Sequence, residues 1–220
     1  MIAFAYCDTG PKFTAMYRTL LDGLIPNLRS VMPDEQILMV TDEKSPIVKG
    51  INQVLRVDRT MPLMTWRLKA HQMAHQMGEE ILFTEPDVRF SANIMAEMPP
   101  GDVVVTTRED EVRLEDCDKD TDFTLGMTYS RSAEFWREAK LICQSLDEKN
   151  QNWFGDMIAI AKVIKEGSFN VAMLDGAIYN HVINDPFAKQ SAKVLHYKGK
   201  RKQWLLPHGA EETDPEAQAA

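Results

Sequence analysis

Short apolar runs of strand length recur along this chain, and several end in a carboxylate. Ile2–Tyr6 is followed by Asp8, Gln36–Val40 by Asp42, Gln53–Val57 by Asp58, and Ile81–Thr84 by Glu85 and Asp87. The stretches between them carry apolar residues at helical spacing. Phe13, Tyr17, Leu20, Leu21, Leu24 and Leu28 mark a first helix with Thr14 as its N-cap. After Pro62, Trp66, Ala70, Met73 and Met77 mark a second, with Gly78 at the C-cap position. Val103–Thr106 and Phe123–Tyr129 read as further strands, Ala133–Leu146 and Trp153–Ile164 as amphipathic helices, and Val171–Leu174 and Val194–Tyr197 as the last strands. This alternation predicts a single α/β domain with a mostly parallel central sheet flanked by helices, an architecture that binds ligands at the carboxyl ends of its strands.

Composition narrows the classes. With 25 Lys+Arg against 33 Asp+Glu the net charge is -8, which argues against a general polyanion-binding surface but leaves room for a local basic patch. Cys7, Cys117 and Cys143 are odd in number and widely spaced, the pattern of neither a disulfide framework nor a thiolate zinc site. The start Met1–Tyr6 lacks a basic n-region, and no apolar run approaches membrane-spanning length. The expectation is a cytoplasmic protein with no membrane span, its domain covering 1–207 and a polar, acidic, disordered tail covering 208–220.

Two segments carry chemistry. In Thr84-Glu85-Pro86-Asp87 two carboxylates stand one residue apart at a strand end, and in extended backbone they point to the same side. Pro86 ends sheet pairing and biases Glu85 toward extended geometry. Such a pair suits a hard divalent cation, Mg2+ or Mn2+; a solvated turn is the other reading. Near the C-terminus a strand delivers His196 into the basic loop Lys198-Gly199-Lys200-Arg201-Lys202. There an imidazole can ligate metal, a glycine lets backbone approach an anion, and a lysine offers a point charge to phosphate.

These residues resemble the glycogenin and lipopolysaccharide-galactosyltransferase family of sugar-nucleotide transferases, which have the GT-A fold. Ile81–Val88 has the shape of that family's strand ending in Asp-x-Asp, with Glu85 at the first Asp and Asp87 at the second. His196, Gly199, Lys202 and Trp204 match its His-x-x-Gly-x-x-Lys-x-Trp pattern in full. The resemblance implies that Glu85, Asp87 and His196 hold the metal and that Lys202 contacts the diphosphate. It also implies roles for Arg67, in Trp66-Arg67-Leu68-Lys69, toward the sugar nucleotide, for Asp8 toward the base, and for Asp156, in Gly155-Asp156-Met157, toward the donor sugar. Phe123-Thr124-Leu125-Gly126 lies near the family's Asn-x-Gly strand. Glu85 replaces Asp, Met157 replaces Gln and Thr124 replaces Asn.

The function so implied is metal-dependent transfer of a sugar from a nucleoside-diphosphate donor, a UDP-sugar, to a glycan, protein or nucleic-acid acceptor. A catalytically degenerate sugar-nucleotide binder and a nucleotidyltransferase on a similar sheet are the alternatives. Other features have plainer readings. His71 and His75 have the spacing of a zinc pair without the Glu of a zincin motif, and Gly10-Pro11-Lys12 reads as a turn. Trp153 reads as core and His181 as a satisfied structural residue. The basic cluster Lys198, Lys200, Arg201 and Lys202 lacks the interleaved aromatics of a nucleic-acid platform.

Overall fold

The computed structural model describes residues 1–108, 121–185 and 191–206. Cys117 and the 208–220 tail lie outside the described residues, as does the side chain of Phe13. In chain order the elements are β1 (Ile2–Tyr6), α1 (Pro11–Val31), β2 (Ile37–Thr41), β3 (Gln53–Arg56), α2 (Leu63–Ala74), β4 (Ile81–Thr84), β5 (Val88–Phe90), β6 (Val103–Thr107), β7 (Phe123–Ser130), α3 (Ala133–Gln144), α4 (Glu148–Asn152), α5 (Gly155–Glu166), β8 (Val171–Leu174), α6 (Gly176–Tyr179), β9 (His181–Val182) and β10 (Val194–His196). Short 3₁₀ segments follow β5 and β10.

Seven strands form the main sheet in the order β3-β2-β1-β4-β7-β6-β8. Pairing is parallel except where β7 meets β4 and β6, so the expected mostly parallel sheet is present with one reversed strand. The strands read as continuous apolar runs because both faces are covered. Ile2, Phe4, Ile37, Met39, Leu82 and Val104 pack on one side with Leu21, Leu24 and Leu28 of α1. The alternate residues Ala3, Leu38, Val40, Ile81, Phe83, Val103 and Val105 pack on the other with Trp66 of α2, Phe135 and Trp136 of α3, and Ile160 of α5. Trp136 is fully buried, and truncating it to Ala removes one of the largest core side chains; we expect a loss of about 4 kcal/mol, readable by denaturant titration.

Strand order reverses at β1, with β2 and β3 to one side and β4 to the other. A crevice therefore opens at the carboxyl ends of β1 and β4, where Asp8 follows β1 and Glu85 and Asp87 follow β4. A second, three-stranded sheet, β5-β10-β9, sits beside this edge.

Several local expectations are corrected. α1 begins at Pro11, with Gly10 at the N-cap, so Gly10-Pro11-Lys12 is a helix start and Thr14 lies inside the helix, its N–H donating to the Gly10 carbonyl at 3.0 Å. Proline suits this first position because its missing N–H would have had no helical partner. α2 stops at Ala74 with His75 as its C-cap, leaving Met77 exposed and Gly78 beyond the helix. The helix expected over Trp153–Ile164 starts instead at Gly155, as α5, and a separate short helix, α4, ends just before it at Asn152; Phe154 between them has a φ of 61°, which no helix accommodates. Trp153 lies outside the core at 53% exposure. His71 stacks on Phe83 at 4.2 Å and His75 bonds Ser130 Oγ at 3.0 Å, so the two rings serve packing. Cys7 and Cys143 are free and buried. Among the described residues no helix is long and apolar enough to cross a membrane.

Candidate metal and diphosphate site

The acidic strand end is assembled by pairing between distant segments. β4 closes at Thr84, and the Glu85 N–H donates to the Gly126 carbonyl of β7 at 3.1 Å, fixing the strand exit. Pro86 interrupts the extended run. The chain then re-enters as β5, which pairs antiparallel with β10 so that Val88 faces His196 and Phe90 faces Val194. The Tyr197 N–H donates to the Asp87 carbonyl at 2.9 Å. This ladder carries His196 from the C-terminal part of the chain to the carboxylates.

The result is a compact group. One ligand atom each from Glu85, Asp87 and His196 lie within 4.8 Å of one another. His196 Nε2 stands 3.6 Å from Asp87 Oδ1 and 3.7 Å from Glu85 Oε2, beyond hydrogen-bond reach. Asp87 is 2% and His196 3% exposed. Asp87 Oδ1 and both His196 ring nitrogens are buried without a hydrogen-bond partner. Buried polar atoms are ordinarily satisfied, so unpaired ligand atoms of Asp87 and His196, converging with a carboxylate oxygen of Glu85, fit a divalent cation. Two carboxylates with one imidazole suit Mn2+ or Mg2+ better than a thiolate-preferring metal.

Two cations flank the group. Lys202 Nζ lies 3.0 Å from Asp87 Oδ2. Burial alone would raise the Asp87 carboxyl, but the Lys202 ammonium and the His196 imidazole overcome it and hold the carboxyl well below its usual range. Burial likewise pulls the Lys202 ammonium down, and Asp87 and Tyr17 more than reverse it. Lys202 is positioned by the 3₁₀ turn Gly199–Leu205, which opens with Gly199 at φ 62°, a left-handed conformation that favours glycine. Arg67, projecting from α2, bridges Glu85 and Asp156, its Nη1 lying 3.0 Å from Asp156 Oδ2. Burial works against its charge, and Glu85 and Asp156 restore and raise it. Asp156 sits at the start of α5, 3% exposed; burial pushes its carboxyl up against the opposing pull of Arg67. Gly155 admits this helix start because a Cβ there would meet the Asn150 carbonyl oxygen at 2.2 Å.

Asp8 belongs to the neighbouring end of the crevice. Its carboxylate accepts from the Tyr6 hydroxyl, its N–H donates to Ser45 Oγ at 2.7 Å, and its carbonyl accepts from Arg59 at 2.8 Å. Burial first, then the bond to Asp8, raises the Tyr6 hydroxyl far above its ordinary range. Arg201 bonds Asn184 at 2.8 Å, whereas Lys202 pairs with Asp87.

Tyr17 and Asn180 are not evident from sequence, and Gly126 is evident there only as part of the segment near the Asn-x-Gly strand. Tyr17 of α1 lies in the electrostatic field of Lys202, Asp87, Glu85 and Arg67, with its hydroxyl raised chiefly by burial; in sequence it is one more apolar-face position of an amphipathic helix. Gly126 leaves the space that His196 occupies: a Cβ there would lie 2.5 Å from both His196 Nδ1 and Asn180 Oδ1. Asn180, the C-cap of α6, is 2% exposed and donates to Thr106 Oγ1 at 2.8 Å and to Thr124 Oγ1. A lone Asn between a short helix and a two-residue strand gives no sequence signal.

Comparison with family models finds no match, and comparison with curated proteins finds none. Solved structures do match. The galactosyltransferase LgtC, in complex with donor and acceptor sugar analogs, is similar at TM-score 0.55 and 12% identity over 90% of this chain and 87% of that one. A glycosyltransferase involved in the glycosylation of the major capsid of PBCV-1 is similar at TM-score 0.60 and 12% identity, covering 93% and 98% of the two chains. The glycosyltransferase GlyE of Streptococcus pneumoniae TIGR4 is similar at TM-score 0.62 and 10% identity, covering 92% of this chain and 56% of that one. At such identities the likeness is one of fold, and it bears out the architecture that the motifs implied: this chain has the GT-A-like fold of these glycosyltransferase structures.

Proposed function

We propose that the protein is a metal-dependent glycosyltransferase that moves a sugar from a nucleoside-diphosphate donor, a UDP-sugar, to a glycan, protein or nucleic-acid acceptor. One observation carries the reading: ligand atoms of Glu85, Asp87 and His196 converge beside Lys202 at the switch point of a GT-A-like sheet, those of Asp87 and His196 buried and unpaired. Mn2+ or Mg2+ held by these three residues would act as a Lewis acid on the leaving diphosphate. Lys202 binds phosphate oxygens, and Arg67 adds a second fixed positive charge where negative charge develops as the glycosidic bond breaks. Gly199 lets backbone approach the same anion. Asp156, held by Arg67, orients donor sugar hydroxyls, and Asp8 reads the base at the β1 end of the crevice.

A non-transferring sugar-nucleotide binder is the second reading, favoured by the two substituted positions. Met157 packs against the apolar core and Thr124 Oγ1 is engaged by Thr106 and Asn180, so neither presents an amide to a sugar. The deciding experiment offers a panel of nucleotide sugars with Mn2+ and measures nucleoside diphosphate released by transfer or hydrolysis. Release above background is expected from at least one donor, falling by about 10³-fold in Asp87→Ala and His196→Ala. Donors that bind tightly in the presence of Mn2+ but release nothing would establish the binder instead.

A further inference from the structure

The ring of His196 has two nitrogens, and only one can face the carboxylates. Nε2 is the nitrogen near Glu85 and Asp87. To ligate a cation it must offer a lone pair, which in a neutral imidazole places the proton on Nδ1. Nδ1 is buried, and among the described residues no partner is assigned to it. Asn180 Oδ1 is in the same condition. Each lies 2.5 Å from the point where a Cβ on Gly126 would sit, so the two are separated by no more than twice that distance, across a space kept open by glycine.

The amide of Asn180 is not free to turn around. Thr106 Oγ1 donates to the Thr124 carbonyl at 3.3 Å, which leaves its lone pairs toward Asn180. Asn180 Nδ2 donates to that oxygen at 2.8 Å and to Thr124 Oγ1. The NH₂ end is thereby committed to the threonine pair on β6 and β7, and the oxygen end is aimed at the glycine gap and His196.

We infer that Asn180 is a positioning residue for the metal site: its Oδ1 accepts the Nδ1 proton of His196, fixing the tautomer and ring orientation in which Nε2 is the metal ligand. A histidine that binds metal ordinarily donates its other ring N–H in this way, and removing such a partner weakens metal affinity by about 10- to 100-fold. Thr106, Thr124 and Gly126 are then the frame that holds the acceptor and keeps the gap clear. Thr124, which departs from the family at a position resembling its Asn-x-Gly strand, acquires a role here as an anchor for an asparagine contributed by another part of the chain.

The inference rests on the metal-site reading, and two variants separate the two. Asn180→Ala and Asn180→Asp both remove the donors to the threonines, but only Asp retains an oxygen acceptor toward His196. Calorimetry with Mn2+ alone is expected to show Asn180→Ala binding 10- to 100-fold more weakly than the parent, with Asn180→Asp at least as tight as the parent. Nitrogen NMR on histidine-labelled, Mg2+-loaded parent is expected to find the His196 proton on Nδ1. Equal Mn2+ affinity in Asn180→Ala, equal weakening in both variants, or a proton on Nε2 would overturn the role of Asn180 while leaving the metal site standing. Absence of Mn2+ binding by the parent would instead overturn the metal-site reading and this inference with it.

Discussion

Gly126→Ala is expected to lower Mn2+-dependent UDP affinity by about 100-fold. The added methyl carbon would lie 2.5 Å from His196 Nδ1 and Asn180 Oδ1 and 2.8 Å from His196 Cε1, well inside van der Waals contact. Neither neighbour can yield cheaply. Asn180 is tied to two threonines, and His196 is held in the β5–β10 ladder with both flanking contacts buried. Overpacking of this kind costs about 1–3 kcal/mol of stability, so the variant should still fold. Paired measurements distinguish local from global failure: calorimetry with UDP and Mn2+ should show the affinity loss, and thermal melting should show a cooperative transition at somewhat reduced temperature. Unchanged affinity would mean that His196 does not occupy the position described.

Lys202→Met should have the largest effect on stability among changes at the site. It leaves Asp87, almost completely buried, without its 3.0 Å partner, and removing one member of a buried pair destabilises by about 3 kcal/mol. The sign of the pH dependence follows from the shift. Asp87 has a folded-state value below its ordinary 3.8, so in the parent its ionisation contributes stability above pH 3.8 that is lost as pH falls toward the lower folded value. Without Lys202, burial acts to raise that value, opposed only by His196. The deficit of the variant relative to the parent should therefore be full at pH 7 and shrink as pH falls toward 4. Denaturant titrations of both proteins at several pH values measure this directly, and a pH-independent deficit would indicate that Lys202 contributes only apolar packing.

The alternation of strands and helices was legible because the sheet is covered on both faces, which writes nearly every strand as an apolar run. The acidic strand end was legible for a local reason: two carboxylates one residue apart in extended backbone point to the same side, although a solvated turn was the other reading. His196 and Lys202 were legible through their motif, not through any contact that spacing could reveal. The ladder that joins them to Asp87 was not. β5 and β9 have three and two residues, too few to show a period; both pair with β10, which reaches β5 from more than a hundred residues away. Asn180 is hidden for the same reason, its partners lying on β6 and β7. The division of α4 from α5 was hidden differently. Phenylalanine in a left-handed conformation carries no sequence signal, since glycine or asparagine usually marks such a break, and the exposed Trp153 beside it looks in sequence like any core tryptophan. Tyr17 lies in the field of the site's charges, on an apolar stripe whose members Leu20, Leu21, Leu24 and Leu28 are buried in the core.

In the proposed function Glu85, Asp87 and His196 would hold a cation beside a nucleoside diphosphate contacted by Lys202. The most direct measurement is the affinity of the parent protein for UDP, by calorimetry, with Mn2+ present and again after its removal by a chelator. UDP is expected to bind with Mn2+ and to weaken by about 100-fold or more without it, since both the cation and the neutralisation of the two carboxylates would be lost. UDP bound equally well in the two conditions would contradict that proposal.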